Sequence, residues 1–352
     1  MSLTAKVTRR SLLIVVIATA AASSCAEARF LSQAAMGHLD LQSRAIPIDQ
    51  LLEGKSLPPK LRGLLGQVAQ IRSFAANNGL NMSDNYASYA ELDRDAAVWV
   101  VTASAPLAFE PVTWSFPPFG SFPYLAWYDQ GDAQRFADGM AQRGLDVHVR
   151  GAAAYSTLGW FADPILSTML TRGASVTGDF VNTILHESVH ATVYVDGQGY
   201  FNESLALFVA DRMTPLYLRK TFGDNSAQVR AYGEQQQRRA VTDELALTAY
   251  QRLEAVYGSD LSDIEKLAAK HTILTELEDA IGATGEINNA SLEGFRTYRV
   301  GLDSFAALFE HCGGKWERFL AATRQIRPDY FASEQEEDLR PVFARLLERS
   351  CD

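Results

Sequence analysis

Residues 183–212, TILHESVHATVYVDGQGYFNESLALFVADR, decide how the rest of the chain is interpreted. They include His186 and His190, four residues apart in the pattern His-Glu-x-x-His. No proline or glycine interrupts residues 179–196, and the apolar side chains recur at helical spacing, which predicts a helix. These apolar residues are Ile184, Leu185, Val189 and Val193. Helix positions i and i+4 share one face, so both imidazoles can bind a single metal ion.

A turn and a second helix follow the histidines. Residues 196–199, Asp-Gly-Gln-Gly, predict a turn whose two glycines can adopt positive φ. After the turn the apolar residues again recur at helical spacing, which predicts two helices joined by a short connection. Their positions are Phe201, Leu205, Phe208 and Val209. Catalytic zinc sites use three protein ligands, so we predict one Zn²⁺ ion bound by His186, His190 and Glu203.

Glu187 directly follows the first histidine and is expected beside the metal. In this position it can take a proton from a metal-bound water and later return it to a leaving amine. Zinc-dependent hydrolysis of peptide bonds is therefore the predicted reaction, with a zinc-polarised scissile carbonyl. The alternative from another class is a non-catalytic zinc-binding lipoprotein that acts as a scaffold. Glu187 and the lack of nearby cysteines argue against it, because structural zinc sites are closed and usually rich in cysteine.

The segment HESVHATVYV, followed by YFNESLA, resembles the bacterial predicted aminopeptidase lipoprotein family of gluzincin-type zinc metallopeptidases. Residues 154–170, AYSTLGWFADPILSTML, and residues 288–314, NNASLEGFRTYRVGLDSFAALFEHCGG, resemble it too. The resemblance implies an aminopeptidase with peptide substrates. An envelope endopeptidase or processing protease is the alternative, since the sequence does not identify the group that would hold a substrate α-ammonium. The resemblance also implies cysteines where this chain has Ser115 and Ser121, so that loop must be held otherwise.

Tyrosine stabilises the oxyanion in the peptidases that this family resembles, and two tyrosines are candidates here. Tyr298 is the first candidate and Tyr155 the second, with a core position as the alternative for either one. Tyr155 lies in residues 151–160, GAAAYSTLGW, which the resemblance marks as an edge strand that pairs with the substrate backbone. Asn202 and Asn288 are candidate substrate-binding residues, and helix capping is the alternative for both.

The whole chain predicts an α+β fold that is mostly helical and zincin-like, with a small sheet before the His-Glu-x-x-His helix. Residues 30–94 predict helices, residues 95–160 the small sheet, and residues 175–352 the helices that carry the metal site. We expect residues 26–352 to form a single metallopeptidase domain, because the length suffices for one large core and no repeat or linker divides it.

Several shorter patterns refine this expectation. Residues 97–102, AVWVVT, and residues 146–150, DVHVR, predict strands, the second with His148 exposed. The aromatic residues between positions 111 and 128 are interpreted as core. Residues 227–257 and 261–281 predict two long helices.

The N-terminus predicts export. Basic residues precede an apolar run at residues 11–22, and small residues lead to Cys25, which resembles a lipoprotein signal peptide over residues 1–25. Thr8-Arg9-Arg10 also resembles a twin-arginine signal. Lipidation of Cys25 would anchor the protein to the membrane on the periplasmic side of a bacterial envelope. The alternative is cleavage after Ala28, which would give a soluble periplasmic or secreted protein.

Charge and cysteine content fit an exported protein. The net charge is −10 with no basic patch, so we expect no nucleic-acid partner. If Cys25 carries lipid, Cys312 and Cys351 remain as an even number for an oxidising compartment, where a disulfide is possible.

Overall fold

The computed structural model describes residue 30 and residues 32–82, 84–116, 121–155, 162–170 and 173–351. Helices predominate within these ranges, which confirms the α+β, mostly helical class. The helices are α1 (32–43), α2 (Ile48–Glu53), α3 (Pro59–Leu65), α4 (Val68–Asn77), α5 (Gln130–Ala141), α6 (Val176–His190), α7 (Gly199–Phe222), α8 (Ala227–Tyr257), α9 (Asp263–Ile281), α10 (Asn289–Arg296), α11 (Leu302–His311), α12 (Trp316–Thr323) and α13 (Arg340–Leu347).

The strands form small sheets. They are β1 (Ile46–Pro47), β2 (Ser88–Ala90), β3 (Val98–Ser104), β4 (Trp114–Ser115), β5 (Ser121–Phe122), β6 (Leu125–Trp127), β7 (Asp146–Ala152) and β8 (Ile165–Leu166). Their orders are β1-β2-β8, β6-β3-β7 and β4-β5. The predicted range of 95–160 is therefore too narrow, because β1, β2 and β8 lie outside it. These are strands of two or three residues, too short to leave a clear alternating pattern.

Strand β7 of the β6-β3-β7 sheet has one face packed against α5 and another that carries His148 and Arg150. Val147 and Val149 pack into an apolar cluster with α5 residues such as Ala133 and Ala137. Successive side chains of a strand point to opposite faces, so His148 and Arg150 lie on the other face. Burial and the nearby Arg150 lower the pKa of His148. The expectation that His148 is exposed is wrong, since it is half-buried.

Helices α6 and α7 form the predicted hairpin at the centre of the main core. Ile184, Leu185, Phe201 and Leu205 are wholly buried between them and their neighbours. Helix α6 ends at His190, before Val193, the last apolar residue of the predicted helix. Of the two glycines in the turn, only Gly197 has a positive φ, of 72°. Gly199 instead begins α7.

The two long helices that the sequence predicts, α8 and α9, pack together around a second apolar cluster. Lys270 of α9 connects the two helices to the β6-β3-β7 sheet. Its ammonium group binds the Asp146 carboxylate at the start of β7 and donates to the Pro106 carbonyl at 2.9 Å. The Asp146 carboxylate also accepts the backbone N–H of Asn289 at 2.8 Å. One buried ion pair therefore ties together α9, β7 and the start of α10.

The C-terminal segment, residues 333–335, is hydrogen-bonded to the turn between α6 and α7. Gln335 donates its backbone N–H to the Gly197 carbonyl at 2.7 Å, and its side-chain oxygen accepts the Gly199 N–H at 2.9 Å. Gln198 donates to the Ser333 carbonyl at 2.7 Å. A disulfide joins Cys312 to Cys351 and closes the region that contains this segment.

Ser115 and Ser121 face each other across the antiparallel pair β4 and β5. The Ser121 hydroxyl donates to the Glu334 carboxylate, and the Ser121 carbonyl accepts from the Gln335 side chain at 3.0 Å. Hydrogen bonds with Glu334 and Gln335, rather than a disulfide, thus hold Ser121 in place.

The predicted signal segment and its lipidation site, Cys25, lie outside the described residues, so export and anchoring stay predictions. Among the described residues, no helix has the length and apolar character needed to cross a membrane.

Candidate metal centre

Three predicted ligand side chains converge in the structure. The Nε2 atoms of His186 and His190 lie 3.3 Å and 3.6 Å from one carboxylate oxygen, Oε2 of Glu203. The candidate ligand atoms of the three residues all lie within 4.8 Å of one another. Two imidazole nitrogens and one carboxylate oxygen form a set that suits Zn²⁺. The residues present therefore fit one zinc ion, whose identity and stoichiometry stay predictions.

Helix geometry explains this convergence. His186 and His190 occupy successive turns of α6, and their ring centroids are 5.0 Å apart with an interplanar angle of 84°. Glu203 lies in the first turns of α7, which returns alongside α6 after the turn at Gly197. The wholly buried residues between the helices fix their separation. The two imidazole nitrogens therefore face the carboxylate from one side.

His186, His190 and Glu203 form a triad whose charge balance favours an ionised Glu203. Burial alone would raise the pKa of its carboxyl group, but the two histidines outweigh burial and hold it well below its usual range. Burial lowers the pKa of His190, and Glu203 more than reverses that effect. Metal binding requires the anionic carboxylate, which this arrangement favours, and neutral imidazoles. A bound ion would therefore replace the proton that Glu203 favours on His190.

Glu187 is partly buried on the same helix. Burial raises the pKa of its carboxyl group, the neighbouring histidines oppose the shift, and Glu203 and Asp163 add to it. Asp163 is a buried residue just before β8, and its negative charge is the smaller of these two contributions. A carboxylate with a raised pKa is a stronger base than an exposed one, which suits proton transfer.

Tyr124 supports the carboxylate ligand from the side away from the histidines. Its hydroxyl donates to Oε1 of Glu203 at 3.4 Å, while Oε2 faces the two imidazoles. By contrast, Nδ1 of His190 is buried and has no hydrogen-bond partner among the described residues. A ligating histidine usually donates this proton to a carbonyl, carboxylate or water, so a buried water is expected there.

Ser204, next to the carboxylate ligand, holds the backbone that carries Tyr298. Its hydroxyl donates to the Thr297 carbonyl at 3.3 Å and accepts the Val300 N–H at 2.9 Å. Tyr298 lies just beyond the end of α10 at Arg296. Its ring centroid is 6.1 Å from that of His186. The first oxyanion candidate is thus beside the triad.

A cation contacts Tyr298. Nη2 of Arg150 donates to the Tyr298 hydroxyl oxygen at 3.0 Å. Burial raises the pKa of Tyr298 to about 12, the charge of Glu203 adds to this, and Arg150 opposes it. Tyr298 in turn raises the pKa of Arg150. The pair therefore consists of a neutral phenol and a guanidinium cation at neutral pH.

Tyr155, the second oxyanion candidate, packs elsewhere. Its ring lies against Tyr128, with centroids 5.4 Å apart, and 6.4 Å from the ring of His38. Burial raises its pKa. These contacts favour the alternative of a core tyrosine. Residues 156–160, which are half of the predicted edge strand, lie outside the described residues, so its pairing with a substrate stays a prediction.

Both candidate substrate-binding asparagines make contacts within the protein. Asn202 is 1% exposed and bonds through both ends of its amide to the backbone of Val195. Asn288 caps α10 by accepting the Ser291 N–H at 3.1 Å, and it donates to the Val147 carbonyl at 2.9 Å. These positions favour structural roles over the predicted contacts with substrate.

Sequence reasoning missed Tyr124, Ser204 and Arg150. Arg150 had a usable signal, because the alternation in DVHVR puts the two valines on one face and the arginine on the other. Tyr124 had no comparable signal, since it belongs to an aromatic run interpreted as core. Its partner Glu203 is 79 residues away.

A family model described as "Putative aminopeptidase" matches residues 29–338. The chain belongs to this family. The matched residues include the triad, Glu187, Arg150 and Tyr298. Recognition of the family is thereby confirmed, while the gluzincin and lipoprotein assignments stay predictions. No curated protein and no solved structure matches the chain.

Proposed function

We propose that this member of the putative aminopeptidase family is a zinc-dependent peptidase. The observation that carries the proposal is the convergence of His186 and His190 on Oε2 of Glu203, with Glu187 next to the first histidine on the same helix. Family membership supports the aminopeptidase assignment. We also propose that the protein is exported and anchored through Cys25 on the periplasmic side.

His186, His190 and Glu203 would hold the zinc ion, and Tyr124 would orient the carboxylate. When bound, zinc supplies a Lewis acid that polarises the scissile carbonyl and acidifies water. Glu187 takes the proton from the attacking water and delivers it to the leaving amine. Tyr298 donates a hydrogen bond to the developing oxyanion.

Glu187→Gln is the variant that tests this function. The amide keeps the shape of the side chain but cannot accept the proton, so hydrolysis should fall by about 10²–10⁴-fold. Zinc content should remain near that of the wild type, because Glu187 is not one of the three converging ligands. Zinc is measured by elemental analysis, and hydrolysis with peptides bearing free or acetylated N-termini. Glu286→Gln, an exposed substitution, is the matched control.

The outcomes separate the candidate functions. Cleavage of only the free N-terminus supports an aminopeptidase, whereas cleavage of both substrates supports the endopeptidase alternative. If the wild-type protein holds zinc but cleaves neither peptide, the result would favour the alternative of a non-catalytic zinc-binding lipoprotein. Undiminished activity in Glu187→Gln would contradict the role of Glu187.

A further inference from the structure

Arg150 is a half-buried cation beside the metal triad that the steps proposed above do not use. It belongs to β7, on the face opposite Val147 and Val149. Its Nη2 donates to the Tyr298 hydroxyl oxygen at 3.0 Å, and its guanidinium carbon lies 5.8 Å from the centroid of that ring. The arginine thus contacts the tyrosine that faces His186.

The direction of the Tyr298 hydroxyl proton follows from this contact. A phenol has one proton to donate, while a guanidinium can only donate and never accepts. Since Arg150 donates to the Tyr298 oxygen, the tyrosine cannot direct its own proton at Arg150. The proton therefore stays available for another acceptor, and the ring of His186 lies 6.1 Å from that of Tyr298.

The backbone of Tyr298 is fixed separately. Ser204 binds the carbonyl of Thr297 and the N–H of Val300, which flank the tyrosine. This fixes the position of the α-carbon but leaves the phenol free to turn its O–H bond. Only the contact with Arg150 restricts that bond among the described hydrogen bonds of the hydroxyl.

We propose that Arg150 is a positioning residue, which orients the Tyr298 hydroxyl so that its proton faces the oxyanion formed at the triad. This rests on the proposed function. A donor oriented in advance stabilises a developing anion without reorganisation during the reaction. A hydrogen bond from a cation also strengthens the phenol as a donor, because it withdraws electron density from the oxygen.

A double-mutant cycle tests whether Arg150 acts through Tyr298. The proteins are the wild type, Arg150→Met, Tyr298→Phe and the double variant, each loaded with zinc. One readout is peptide hydrolysis, separated into kcat and KM. The other is the Kd of a phosphonate peptide, a tetrahedral anion that mimics the oxyanion and needs no turnover. Arg143→Met, on an exposed arginine, is the matched control.

Each single variant should lower kcat and weaken phosphonate binding by about 10–100-fold, with KM and zinc content changed little. The double variant should be no weaker than Tyr298→Phe, since Arg150 has nothing left to orient. Arg150→Lys keeps the charge and a donor and should recover part of the loss. Independent losses in the double variant, or wild-type phosphonate binding by Arg150→Met, would overturn the proposal.

Phosphonate binding needs no turnover, so it tests the role of Arg150 separately from the proposed peptidase function. A wild-type protein that binds zinc and phosphonate but cleaves no peptide overturns peptidase function, while the cycle still measures the coupling of Arg150 and Tyr298. A wild-type protein that binds zinc but no phosphonate overturns both.

Discussion

Both ends of the Asn202 amide bond to the backbone of Val195. Nδ2 donates to the Val195 carbonyl at 2.8 Å, and Oδ1 accepts its N–H at 2.9 Å. One side chain thus closes the connection between α6 and α7 immediately before the ligand Glu203. The connection therefore depends on an amide that can donate and accept at once.

Asn202→Ala should destabilise the fold and weaken zinc binding. It leaves the Val195 N–H without a partner, whereas the Val195 carbonyl keeps the Gln198 N–H at 3.2 Å. One unsatisfied buried group costs about 1–3 kcal/mol. Urea unfolding measures the stability, and competition with a chelator measures the zinc affinity. Asn225→Ala, in an exposed loop, is the control and should change neither quantity. A variant as stable as the wild type would show that the amide does not hold the turn.

Glu293 should make stability fall as the pH rises. Its carboxyl group is 4% exposed with neither oxygen hydrogen-bonded, and burial raises its pKa to about 7, with Glu337 adding to the shift and Arg296 opposing it. Because the folded-state pKa exceeds the unfolded value near 4.5, the native state binds more protons between these two pH values. The stabilisation is complete below pH 4.5 and is lost as the pH rises through 7.

Glu293→Gln removes this titration. The variant should exceed the wild type in stability by roughly 2–3 kcal/mol at pH 8, with a much smaller difference at pH 5. Urea unfolding at both pH values provides the measurement. The exposed substitution Glu286→Gln is the control. The same stability difference at pH 5 and pH 8 would contradict the raised pKa.

Lys270→Met should destabilise the protein strongly. The lysine and Asp146 side chains are 9% and 17% exposed, so removal of one partner leaves a mostly buried charge without its counter-ion. The expected loss is about 3–5 kcal/mol. Chemical denaturation tests this, with Lys220→Met on an exposed lysine for comparison. Adding Asp146→Asn to the variant should recover part of the loss, because the unpaired charge is then gone.

Ser115→Cys with Ser121→Cys should form a disulfide, because the two residues are direct partners across an antiparallel pair. The short loop should add about 2 kcal/mol. Loss of the Ser121 contact with Glu334 should subtract about 1 kcal/mol. Thiol titration and thermal unfolding, with and without reductant, measure the result. Ser121→Ala isolates the cost of the lost contact, and free thiols in the oxidised variant would contradict the register.

The convergence of the candidate ligands on the α6–α7 hairpin could be predicted because the spacing of the histidines is local. Four residues separate His186 from His190, and a helix turns that spacing into one face. The end of α6 was misplaced for an equally physical reason. Val193 and Val195 lie beyond the helix but are 5% and 2% exposed, so the apolar pattern continues although the helix does not. Hydrophobic periodicity indicates which residues are buried, and here the buried residues continue beyond the end of the helix.

Residues that support the site depend on distant contacts. Arg150 meets Tyr298 across 148 positions of sequence, and Tyr124 meets Glu203 across 79. No local pattern encodes such pairs. The role of Asn202 could not be predicted for a different reason, because asparagine suits both helix capping and substrate binding. Only its burial and its two bonds to Val195 distinguish these roles.

The three candidate ligands are separated in sequence from the segment that secures their hairpin. His186, His190 and Glu203 precede Gln335 by more than a hundred positions, yet Gln335 supplies the partners of Gly197 and Gly199. A chain cut before residue 333 would keep every ligand side chain but lose those partners. The order of events during biogenesis follows: the histidines leave the ribosome first, and the turn between them and Glu203 is secured only after residue 335 has emerged.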